Sequence, residues 1–570
     1  MTKDLATKIE EWSQPPFDQK TINDVYQLSK DPESLKDAFY KDLEFGTGGM
    51  RGIMGVGTNR VNAYTLGKST QGLSDYLRKV YGKREDLKVV IAYDCRNNSK
   101  SLALKVAEVF SANEIKVFIF SDLRTTPQLS FAVRHLGAHC GVVLTASHNP
   151  PEYNGYKVYW ADGGQIVPPQ DQEIITQINQ TQFSDIRFDP KPQWIEWIDN
   201  TVDQAFFDTC LKLGKFDVGE RHNFKIVFTP LHGTTITAVP QVLEAAGYTN
   251  LHLVKSQSVP NGNFPTVKSP NPEESEALKM ALDQAIDLGA DMVIGTDPDG
   301  DRLGIAVRDY DNRFYLLNGN QAMVVMTYFL LEQLKKTKPL NQKHFIATTI
   351  VSTPMMKKIA NHYGVQLKET LTGFKWIGQL IIDHPTIQFI GGGEESFGYL
   401  IGDQIRDKDA VTASLLACEI GTYAKNNGKS LYGLLEDCYR KFGAYKESLL
   451  SFTQKGKEGA EKIQKMMDTF RNDTPKSIAG ISVVLKEDYH TGKRINLKEN
   501  KTEHLKLPKA DVLIFILEDD SRIAIRPSGT EPKIKFYFSV NDNLNEKENW
   551  KDLEARLDQK IKTLIKGLEI

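Results

Sequence analysis

Three aspartates at alternate positions carry the strongest chemical signal in the sequence. Asp297, Asp299 and Asp301 follow directly after the apolar run DMVIG. Carboxylates at i, i+2 and i+4 beyond the end of a strand can converge on one cation, and all-oxygen ligation suits Mg²⁺ or Ca²⁺ better than Zn²⁺. An EF-hand is excluded, because its sixth position needs glycine and is Arg302 here. An acidic surface turn is the alternative, although like charges this close repel without a counter-ion.

A serine loop follows a second apolar run, GVVL. Its sequence is TASHNPP, residues 145–151, with Ser147 and His148 adjacent. A serine at the end of a strand can act as a nucleophile or carry a phosphoryl group. The loop lacks the flanking glycines of a hydrolase nucleophile elbow. A plain polar turn closed by Asn149 and Pro150 is the open alternative.

Three further segments offer groups that bind anions or sugars. RPSGTEP, residues 526–532, combines an arginine, two hydroxyls and a glycine-freed backbone, which suits a phosphate dianion. GGGEESFG, residues 391–398, has carboxylates that can accept hydrogen bonds from sugar hydroxyls. TGFK, residues 372–375, supplies Lys375 beside a glycine, although an exposed helix start explains that pattern better. Ordinary surface turns remain the alternative for the first two.

The elements that must position these loops alternate between strand and helix. Short apolar runs predict strands at Leu87 to Tyr93, Ile115 to Phe120, Gly141 to Leu144, Phe224 to Phe228, Leu251 to Val254, Asp291 to Ile294, Phe345 to Ile350, Val365 to Glu369 and Ile387 to Ile390. Helical spacing between them predicts helices at Ser99 to Ala112, Ile236 to Ala246, Glu273 to Leu288 and Met355 to His362. This alternation of strands and helices predicts three similar α/β blocks with mainly parallel sheets.

The last part of the chain has a different pattern. A charged helix at Glu458 to Arg471 is followed by four strand-like runs and a helix from about Asn545, which predicts a separate α+β domain. The four runs are Ile481 to Leu485, Val512 to Leu517, Arg522 to Ile525 and Ile534 to Val540. The composition shift at Ala444 to Gln454 predicts a linker. We therefore expect domains at residues 1–205, 206–318, 319–445 and 446–570.

Length and composition exclude several classes of protein. The chain has 570 residues, 40% of them hydrophobic, which predicts a soluble, core-forming protein of several domains. Its 71 basic and 73 acidic residues leave a net charge of −2, which gives no global signature of nucleic-acid binding. No apolar run reaches the roughly 20 residues of a membrane span, and the N-terminus has no apolar signal core. Five scattered cysteines without a CxxC pair indicate reduced thiols and a cytoplasmic protein.

Taken together, the loops resemble the α-D-phosphohexomutase superfamily. TASHNP, DPDGDR, GEESFG and RPSGTEP occur in the family's order, one in each predicted domain, and the resemblance extends from about Phe45 to Tyr537. GTGGMRG and the long N-terminal extension are most similar to the branch that contains phosphoglucomutases and phosphopentomutase-like enzymes. The phosphomannomutase/phosphoglucomutase branch usually has GEMSGH where this chain has GEESFG, so that histidine's role does not transfer. The resemblance implies four domains around a central active-site cleft.

The resemblance also implies roles for individual residues. Ser147 carries the phosphoryl group, and a phosphoserine oxygen joins the three aspartates in binding Mg²⁺. Arg302 faces the phosphate. Sugar and phosphate binding is expected of Thr372, Gly373, Glu394, Ser396, Arg526, Ser528, Gly529 and Thr530. Acid/base or charge-stabilising work is expected of Arg51, His148, Lys157 and Lys375, with Lys375 and His148 favoured.

The implied reaction converts glucose 1-phosphate into glucose 6-phosphate through glucose 1,6-bisphosphate, which is also the expected activator. A pentose phosphate mutase is the alternative within the family. A phosphatase is a further alternative, because DxD after a strand also begins aspartyl-phosphate phosphatases, but it leaves TASHNP unexplained. A non-catalytic scaffold is disfavoured by the complete set of motifs. The expected partner is a small phosphosugar, with no nucleic acid and no membrane, and the chain is expected to be a monomer or a small homo-oligomer.

Overall fold

Three short helices precede the first sheet in this structure, a computed structural model that describes residues 3–46, 48–82, 86–453, 456–528 and 533–568. The helices are α1 (Lys3–Glu11), α2 (Gln19–Leu28) and α3 (Pro32–Phe39). Asp18 caps α2 by accepting a hydrogen bond from Thr21 N, and Asp31 caps α3 in the same way. The caps explain where these two helices begin in a charged segment.

A six-stranded mixed sheet forms the first α/β block. Its elements are β1 (Gly49–Ile53), α4 (Ala63–Tyr81), β2 (Lys88–Tyr93), α5 (Ser99–Ala112), β3 (Lys116–Phe120), α6 (Thr126–His135), β4 (Cys140–Leu144), β5 (Tyr153–Trp160), α7 (Gln170–Gln180), β6 (Ile195–Ile198) and α8 (Asn200–Gly214). The strand order is β1-β5-β4-β2-β3-β6. Strands β4, β2, β3 and β6 are parallel, and β5 and β1 add an antiparallel edge. The predicted strands are present, and β1, which crosses GTGGMRG, was not predicted.

The chain direction in this sheet sets where the loops meet. From β2 the chain passes through α5 to β3 on one side, and then returns through α6 to β4 on the other side. Because parallel crossovers are right-handed, α5 and α6 lie on opposite faces of the sheet. The loops after β2 and β4 therefore leave the sheet at a topological switch point, where α/β proteins bind ligands.

The second block repeats this arrangement. Its elements are β7 (Ile226–Thr229), α9 (Val239–Ala246), β8 (Leu251–Leu253), α10 (Lys279–Leu288), β9 (Met292–Thr296), β10 (Leu303–Arg308) and β11 (Phe314–Leu317). The order is β11-β10-β9-β7-β8, so β9, β7 and β8 correspond to β4, β2 and β3. Helices α9 and α10 start later than predicted, after a short 3-10 turn at Thr234–Thr237 in the first case and a run of turns in the second.

The third block contains α11 (Gly319–Thr337), β12 (His344–Thr349), α12 (Met355–Tyr363), β13 (Gln366–Thr370), α13 (Lys375–Asp383), β14 (Gln388–Gly393), β15 (Tyr399–Ile401), α14 (Ala410–Asn426) and α15 (Leu431–Phe442). Strand β12 pairs in parallel with β13. The end of β14 lies so close to β12 that a Cβ at Gly392 would come within 2.2 Å of Ala347 O. From β12 to β14 the order of elements is strand, helix, strand, helix, strand, as it is from β2 to β4 and from β7 to β9.

The C-terminal part is built on an antiparallel sheet. Its elements are β16 (Ala444–Thr453), α16 (Gly456–Asn472), β17 (Ser477–Ile478), β18 (Ile481–Asp488), β19 (Lys493–Asn496), β20 (Lys501–His504), β21 (Leu513–Leu517), β22 (Arg522–Pro527), β23 (Lys533–Asp542) and α17 (Trp550–Gly567). The order is β16-β23-β22-β21-β18-β19-β20. The α+β class is confirmed. Helix α17 begins after its cap, Asn549, and not at Asn545 as predicted.

The predicted linker at Ala444 to Gln454 is wrong. Residues 444–453 form the edge strand β16, which pairs with β23 from Ala444 opposite Asp542 to Thr453 opposite Lys533. Gln454 lies outside the described residues. The segment looked like a linker because its second half alternates exposed and half-buried residues, which is typical of an edge strand with one solvent face.

The described residues divide into two compact units made of interleaved stretches. The first unit contains residues 1–319, 374–391 and 396–428, and the second contains residues 320–373, 392–395 and 429–570. The first two sheets belong to the first unit, and the antiparallel sheet belongs to the second. The predicted four-domain boundaries stay a prediction. Among the described helices, none has the length and apolar character needed to cross a membrane.

Candidate active site

The serine loop and the aspartate loop meet inside the first unit. Ser147 lies three residues beyond β4, and Asp297 lies directly beyond β9. Ser147 Oγ donates a hydrogen bond of 2.9 Å to Asp297 Oδ2. Both side chains are buried, with Ser147 4% exposed and Asp297 fully covered. The structure therefore brings the predicted nucleophile and the predicted metal ligands into direct contact.

The backbone at Ser147 is held in a rare conformation. Its φ is +52°, in the left-handed region that non-glycine residues seldom adopt. Ser147 N donates to Thr145 Oγ1 at 2.8 Å, which closes the turn from inside. Strain of this kind persists only where surrounding contacts enforce it, and it concentrates at functional sites.

Arg96 supplies those enforcing contacts and was missed by the sequence analysis. Its guanidinium donates to four carbonyl oxygens of the serine loop and of the start of β5, which belong to Ser147, Asn149, Pro150 and Tyr153. Asp94 lies at the end of β2 and accepts from Arg96 N and from Ser99 Oγ. The signal was available, because Asp94 and Arg96 follow a buried strand just as the aspartates do.

The three aspartates form a buried cluster with two unsatisfied oxygens. One oxygen of each carboxylate lies within 4.8 Å of the others, and the exposed fractions are 0%, 0% and 3%. Within the described residues, Asp299 Oδ1 and Asp301 Oδ1 have no hydrogen-bond partner. Leaving buried carboxylate oxygens unpaired is costly. A cluster of hard oxygen ligands with this deficit fits a divalent cation such as Mg²⁺.

Two lysines hold the opposite oxygens of the same carboxylates. Lys157 Nζ lies 2.7 Å from Asp299 Oδ2 and 3.3 Å from Asp301 Oδ2. Lys408 Nζ lies 3.1 Å from Asp301 Oδ2 and 3.4 Å from Asp407 Oδ1. Lys157 was predicted, but Lys408 was not, because no motif marks it. Packing places Lys408 beside the cluster. Two residues later, Ala410 N donates a hydrogen bond of 3.2 Å to Gly300 O, which connects this segment to the aspartate loop.

The cluster shifts the pKa values of its members in opposite directions. Burial, followed by the charges of Asp299 and Asp301, raises the pKa of Asp297 well above its ordinary value. Burial also acts to raise the pKa of Asp299, but the nearby ammonium of Lys157 outweighs it and holds that pKa below the ordinary value. The three carboxylates therefore compete for a limited number of counter-charges, and a bound cation would relieve that competition.

Three predicted residues surround the serine. His148 Nδ1 lies 3.1 Å from Ser147 Oγ. Burial, followed by the charges of Arg302 and Arg51, lowers the pKa of His148 well below its ordinary value. Arg51 donates to Asn149 Oδ1 at 2.9 Å, and Arg302 pairs with Glu273. The imidazole is neutral at pH 7 and can accept a proton.

The two glutamates of the predicted sugar loop lie in the second unit. Glu394 is buried, and its Oε1 accepts from Gly373 N at 2.8 Å, which links two of the predicted binding residues. Glu395 Oε2 accepts from the hydroxyls of Thr349 and Ser352. Thr372 flanks this contact in sequence. The second unit therefore fixes the carboxylates of this loop before any ligand is present.

The predicted phosphate loop is only partly described. Arg526 and Ser528 lie at the end of β22, and both are half-buried. Arg526 forms a hydrogen bond with the hydroxyl of Tyr537, whose pKa is raised by burial and then by the charge of Glu395. The predicted residues Gly529 and Thr530 lie outside the described residues.

Lys375 and Ser396 belong to the first unit. Lys375 begins α13, and its Nζ lies 5.3 Å from the centre of the Trp376 ring. Burial lowers the pKa of Lys375, with a partial offset from Asp171. In the part of the chain that the structure describes, Lys375 makes no hydrogen bond to the serine or aspartate loops. The role predicted for Lys375 stays a prediction.

Comparison with known sequences decides the family. Four consecutive segments match domains of one family: "Phosphoglucomutase/phosphomannomutase, alpha/beta/alpha domain I" at 42–185, domain II at 204–310, domain III at 318–442 and the C-terminal domain at 477–559. A phosphoglucomutase of Staphylococcus haemolyticus is 38% identical over 516 residues, covering 90% of this chain and 93% of that protein. The chain belongs to the phosphoglucomutase/phosphomannomutase family.

A further relative supports the family, and two solved structures share the fold. A phosphoglucomutase of Staphylococcus aureus strain MRSA252 is 36% identical, covering 94% of this chain and 96% of that protein. The open form of pp63/parafusin from Paramecium, called a phosphoglucomutase, superposes with a TM-score of 0.70 at 20% identity and covers 93% and 95% of the two chains. A phosphoglucomutase/phosphomannomutase family protein of Burkholderia thailandensis gives 0.66 at 19% identity, with 92% and 97% covered. The predicted superfamily and fold class are confirmed.

Proposed function

We propose that this chain is a phosphosugar mutase that interconverts α-D-glucose 1-phosphate and D-glucose 6-phosphate. The observation that carries the proposal is the hydrogen bond from Ser147 Oγ to Asp297 Oδ2 in a buried aspartate cluster. It joins a candidate phosphoryl carrier to a candidate metal site. Curated relatives that are 36–38% identical over at least 90% of this chain are named phosphoglucomutases, which favours a glucose phosphate over a pentose phosphate.

Ser147 is the proposed phosphoryl carrier. In the working enzyme the phosphoryl group leaves Ser147 Oγ for a free sugar hydroxyl, so one P–O bond breaks and another forms, and the product is glucose 1,6-bisphosphate. The bisphosphate then turns end for end and returns its other phosphate to Ser147. Such transfers depend on alignment and charge neutralisation more than on covalent chemistry. The strained turn and the Arg96 contacts hold Oγ in place for both halves of the cycle.

Asp297, Asp299 and Asp301 are the residues that would hold Mg²⁺, together with an oxygen of the phosphorylated Ser147. When bound, Mg²⁺ supplies Lewis-acid neutralisation of the phosphoryl oxygens. Arg302 and Arg51 add positive charge on the side of His148. These arginines, with Lys157, offset the charge that a phosphate brings into a buried site.

Proton transfer is assigned to His148 and Lys375. His148 Nδ1 is within reach of Ser147 Oγ, and its depressed pKa keeps the imidazole neutral, so an unprotonated ring nitrogen is available to exchange a proton with Ser147. Lys375, whose pKa is lowered by burial, is proposed to serve the sugar hydroxyl. Glu394, Ser396, Thr372 and Gly373 are proposed to bind sugar hydroxyls. Arg526, Ser528, Gly529 and Thr530 are proposed to grip the distant phosphate.

A mutase assay tests the proposal directly. The enzyme is supplied with Mg²⁺ and a trace of glucose 1,6-bisphosphate, and kcat/KM is compared for the 1-phosphates of glucose, mannose and ribose. We expect glucose to be preferred. A preference for ribose would make the protein a pentose phosphate mutase, and net release of inorganic phosphate would make it a phosphatase.

Ser147→Ala is the matching variant. We expect kcat to fall by about 1,000-fold or more, because no other nucleophile replaces the carrier. Ser101→Ala, an exposed serine on α5, is the control and should retain activity. Intact-mass measurement should find a phosphorylated form in the wild type and none in Ser147→Ala. Normal turnover of Ser147→Ala would overturn the assignment.

A further inference from the structure

Each carboxylate of the aspartate cluster has one oxygen that is already bonded twice by the protein. Asp297 Oδ1 accepts from the backbone N–H groups of Asp301 and Arg302, at 3.0 and 2.9 Å. Asp299 Oδ2 accepts from Lys157 Nζ at 2.7 Å and Thr126 Oγ1 at 3.0 Å. The remaining oxygens are Asp297 Oδ2, which faces Ser147, and the Oδ1 atoms of the other two.

The third carboxylate follows the same pattern. Asp301 Oδ2 lies 3.3 Å from Lys157 Nζ and 3.1 Å from Lys408 Nζ. Asp301 Oδ1 is buried without a hydrogen-bond partner within the described residues, and Arg302 Nε lies 4.0 Å from it. Each aspartate therefore has one oxygen held by two protein donors and one oxygen held by fewer: Asp297 Oδ2 accepts from Ser147 Oγ, and the Oδ1 atoms of Asp299 and Asp301 have no partner among the described residues.

We infer that Lys157 and Lys408, with Thr126, restrict the cluster to one oxygen per carboxylate and so select a small cation of the Mg²⁺ class against Ca²⁺. Mg²⁺ takes six ligands in strict octahedral geometry and is satisfied by single carboxylate oxygens. Ca²⁺ takes about six to eight ligands and gains from carboxylates that bind through both oxygens. This inference rests on the proposed function only in that a divalent cation binds the cluster.

The lysines do more than neutralise charge in this arrangement. A distant positive charge would weaken binding of Mg²⁺ and Ca²⁺ alike, since both carry the same charge. A lysine bonded to a specific oxygen also removes that oxygen from the ligand set. Groups behind the ligands are known to fix ligand orientation and to alter metal affinity by about 10–100-fold. The ratio of the two affinities therefore separates oxygen blocking from simple charge.

Competition for Mn²⁺ measures this ratio on the full-length protein. Free Mn²⁺ is followed by electron paramagnetic resonance while Mg²⁺ or Ca²⁺ displaces it, with unphosphorylated enzyme and no sugar. We expect the wild type to prefer Mg²⁺. We expect Lys157→Met and Lys408→Met each to shift the Mg²⁺/Ca²⁺ affinity ratio toward Ca²⁺ by about 10-fold. Thr126→Val, which frees Asp299 Oδ2 in part without changing charge, should shift it in the same direction.

Arg302→Met is the matched control for charge. It removes one positive charge near the cluster. The side chain of Arg302 pairs with Glu273, and none of its described hydrogen bonds goes to an oxygen held by two protein donors. The affinities of the Arg302→Met enzyme for Mg²⁺ and for Ca²⁺ should rise together, so that the ratio of the two affinities is unchanged. If the ratio in the lysine variants also stays within twofold of the wild type, the inference is wrong.

Asp299→Asn separates failure of the inference from failure of the proposed function. Loss of Mn²⁺ binding in Asp299→Asn shows that the cluster is the metal site, whatever the ratios are. Unchanged Mn²⁺ binding would overturn the metal site itself. Far-ultraviolet circular dichroism checks that each variant is folded, and Lys408→Met with Thr126→Val carries the test if Lys157→Met does not fold.

Discussion

At the scale of single residues, the site depends on groups that the fold holds in energetically unfavourable conformations or environments. Ser147 adopts a positive φ, and two carboxylate oxygens of the cluster are buried without a hydrogen-bond partner among the described residues. Arg96 holds the serine loop through its backbone carbonyls, and the side chain of Thr145 closes the turn at Ser147. The protein therefore fixes the position of the nucleophile independently of any ligand.

Arg526→Ala tests the proposed grip on the distant phosphate. We expect KM for glucose 1-phosphate to rise by about 10-fold or more, because a charge-assisted pair with a phosphate contributes about 1.5–3 kcal/mol. Thermal stability should hardly change, since Arg526 is half-buried at the end of β22. Steady-state kinetics and a thermal melt measure both quantities.

Lys501→Ala provides the control for that variant. Lys501 is an exposed lysine on β20 of the same antiparallel sheet, and its pair with Glu503 is exposed too. It should leave KM unchanged. An Arg526→Ala enzyme with the KM of the wild type would contradict the phosphate-binding role.

Residues that belong to a short motif could be predicted, and residues that act from a distance could not. Ser147 lies in one short loop after a strand and the three aspartates lie in another, so the local sequence was sufficient to select them as candidates. Lys408 reaches the cluster from more than 100 positions away along the chain. Its role depends on how α14 packs against the second sheet, which no local pattern encodes.

At the scale of elements, helix α14 begins with a buried carboxylate. Asp409 is 1% exposed and accepts hydrogen bonds from Val411 N and Thr412 N, which caps the helix. Burial raises the pKa of Asp409 to about 6, although these hydrogen bonds act in the opposite direction. Ionising the buried Asp409 therefore lowers the stability of the fold, which ionising an exposed cap does not do.

Asp409→Asn tests this cost through pH. The folded pKa lies above the ordinary value, so the folded state binds the proton more tightly and stability falls as pH rises from about 4 to about 6. Asparagine also caps helices but does not ionise. We expect the stability of Asp409→Asn relative to the wild type to improve by about 1 kcal/mol between pH 5 and pH 8. Thermal melts at the two pH values measure the difference.

Asp31→Asn is the matched control at an exposed cap. Hydrogen bonds from the side chain and the backbone of Ser34 lower the pKa of Asp31, so it is ionised at both pH values. Its effect on stability should be the same at pH 5 and pH 8. If Asp409→Asn shows no more pH dependence than Asp31→Asn, burial does not raise the pKa of Asp409.

Strands that are buried on both faces could be predicted from the sequence, and an edge strand could not. The central strands of the first two sheets are nearly continuous apolar runs, as parallel strands covered on both faces must be. Strand β16 has mixed composition because only one face packs, and its partner β23 lies about 90 residues later in the chain. Pairing over that distance is a tertiary effect, so the sequence alone predicted a linker there.

At the scale of the whole molecule, the N-terminal helices are attached to the first unit through aromatic side chains. Trp12 is fully buried and stacks on Phe17, with ring centres 4.4 Å apart. Its ring also lies 5.9 Å from that of Tyr64 on α4, and the Tyr64 hydroxyl accepts from Asp18 N at 2.6 Å. None of these residues contacts the serine or aspartate loops in the described part of the chain.

Trp12→Ala tests whether these helices stabilise the first unit without serving catalysis. Truncating a buried tryptophan leaves a cavity and costs roughly 3–5 kcal/mol. We expect hydrogen exchange of the backbone amides in α1 to α3 to speed up strongly while kcat for glucose 1-phosphate stays within twofold of the wild type. Tyr26→Ala, at a side chain that is 66% exposed, should change neither quantity. A large fall in kcat would show that the helices support the site itself.

The three α/β blocks place their chemistry at equivalent points. The serine loop follows β4, the aspartate loop follows β9, and the glutamate loop follows β14. Each of these strands ends the run of strand, helix, strand, helix and strand that its block contains. Copying one ancestral unit three times would create three such loops at once, each free to diverge on its own. Under selection, mutations in the third copy could change which sugar is accepted while the first two copies keep the transfer chemistry. The family's range of substrates would then follow from gene duplication within a single chain.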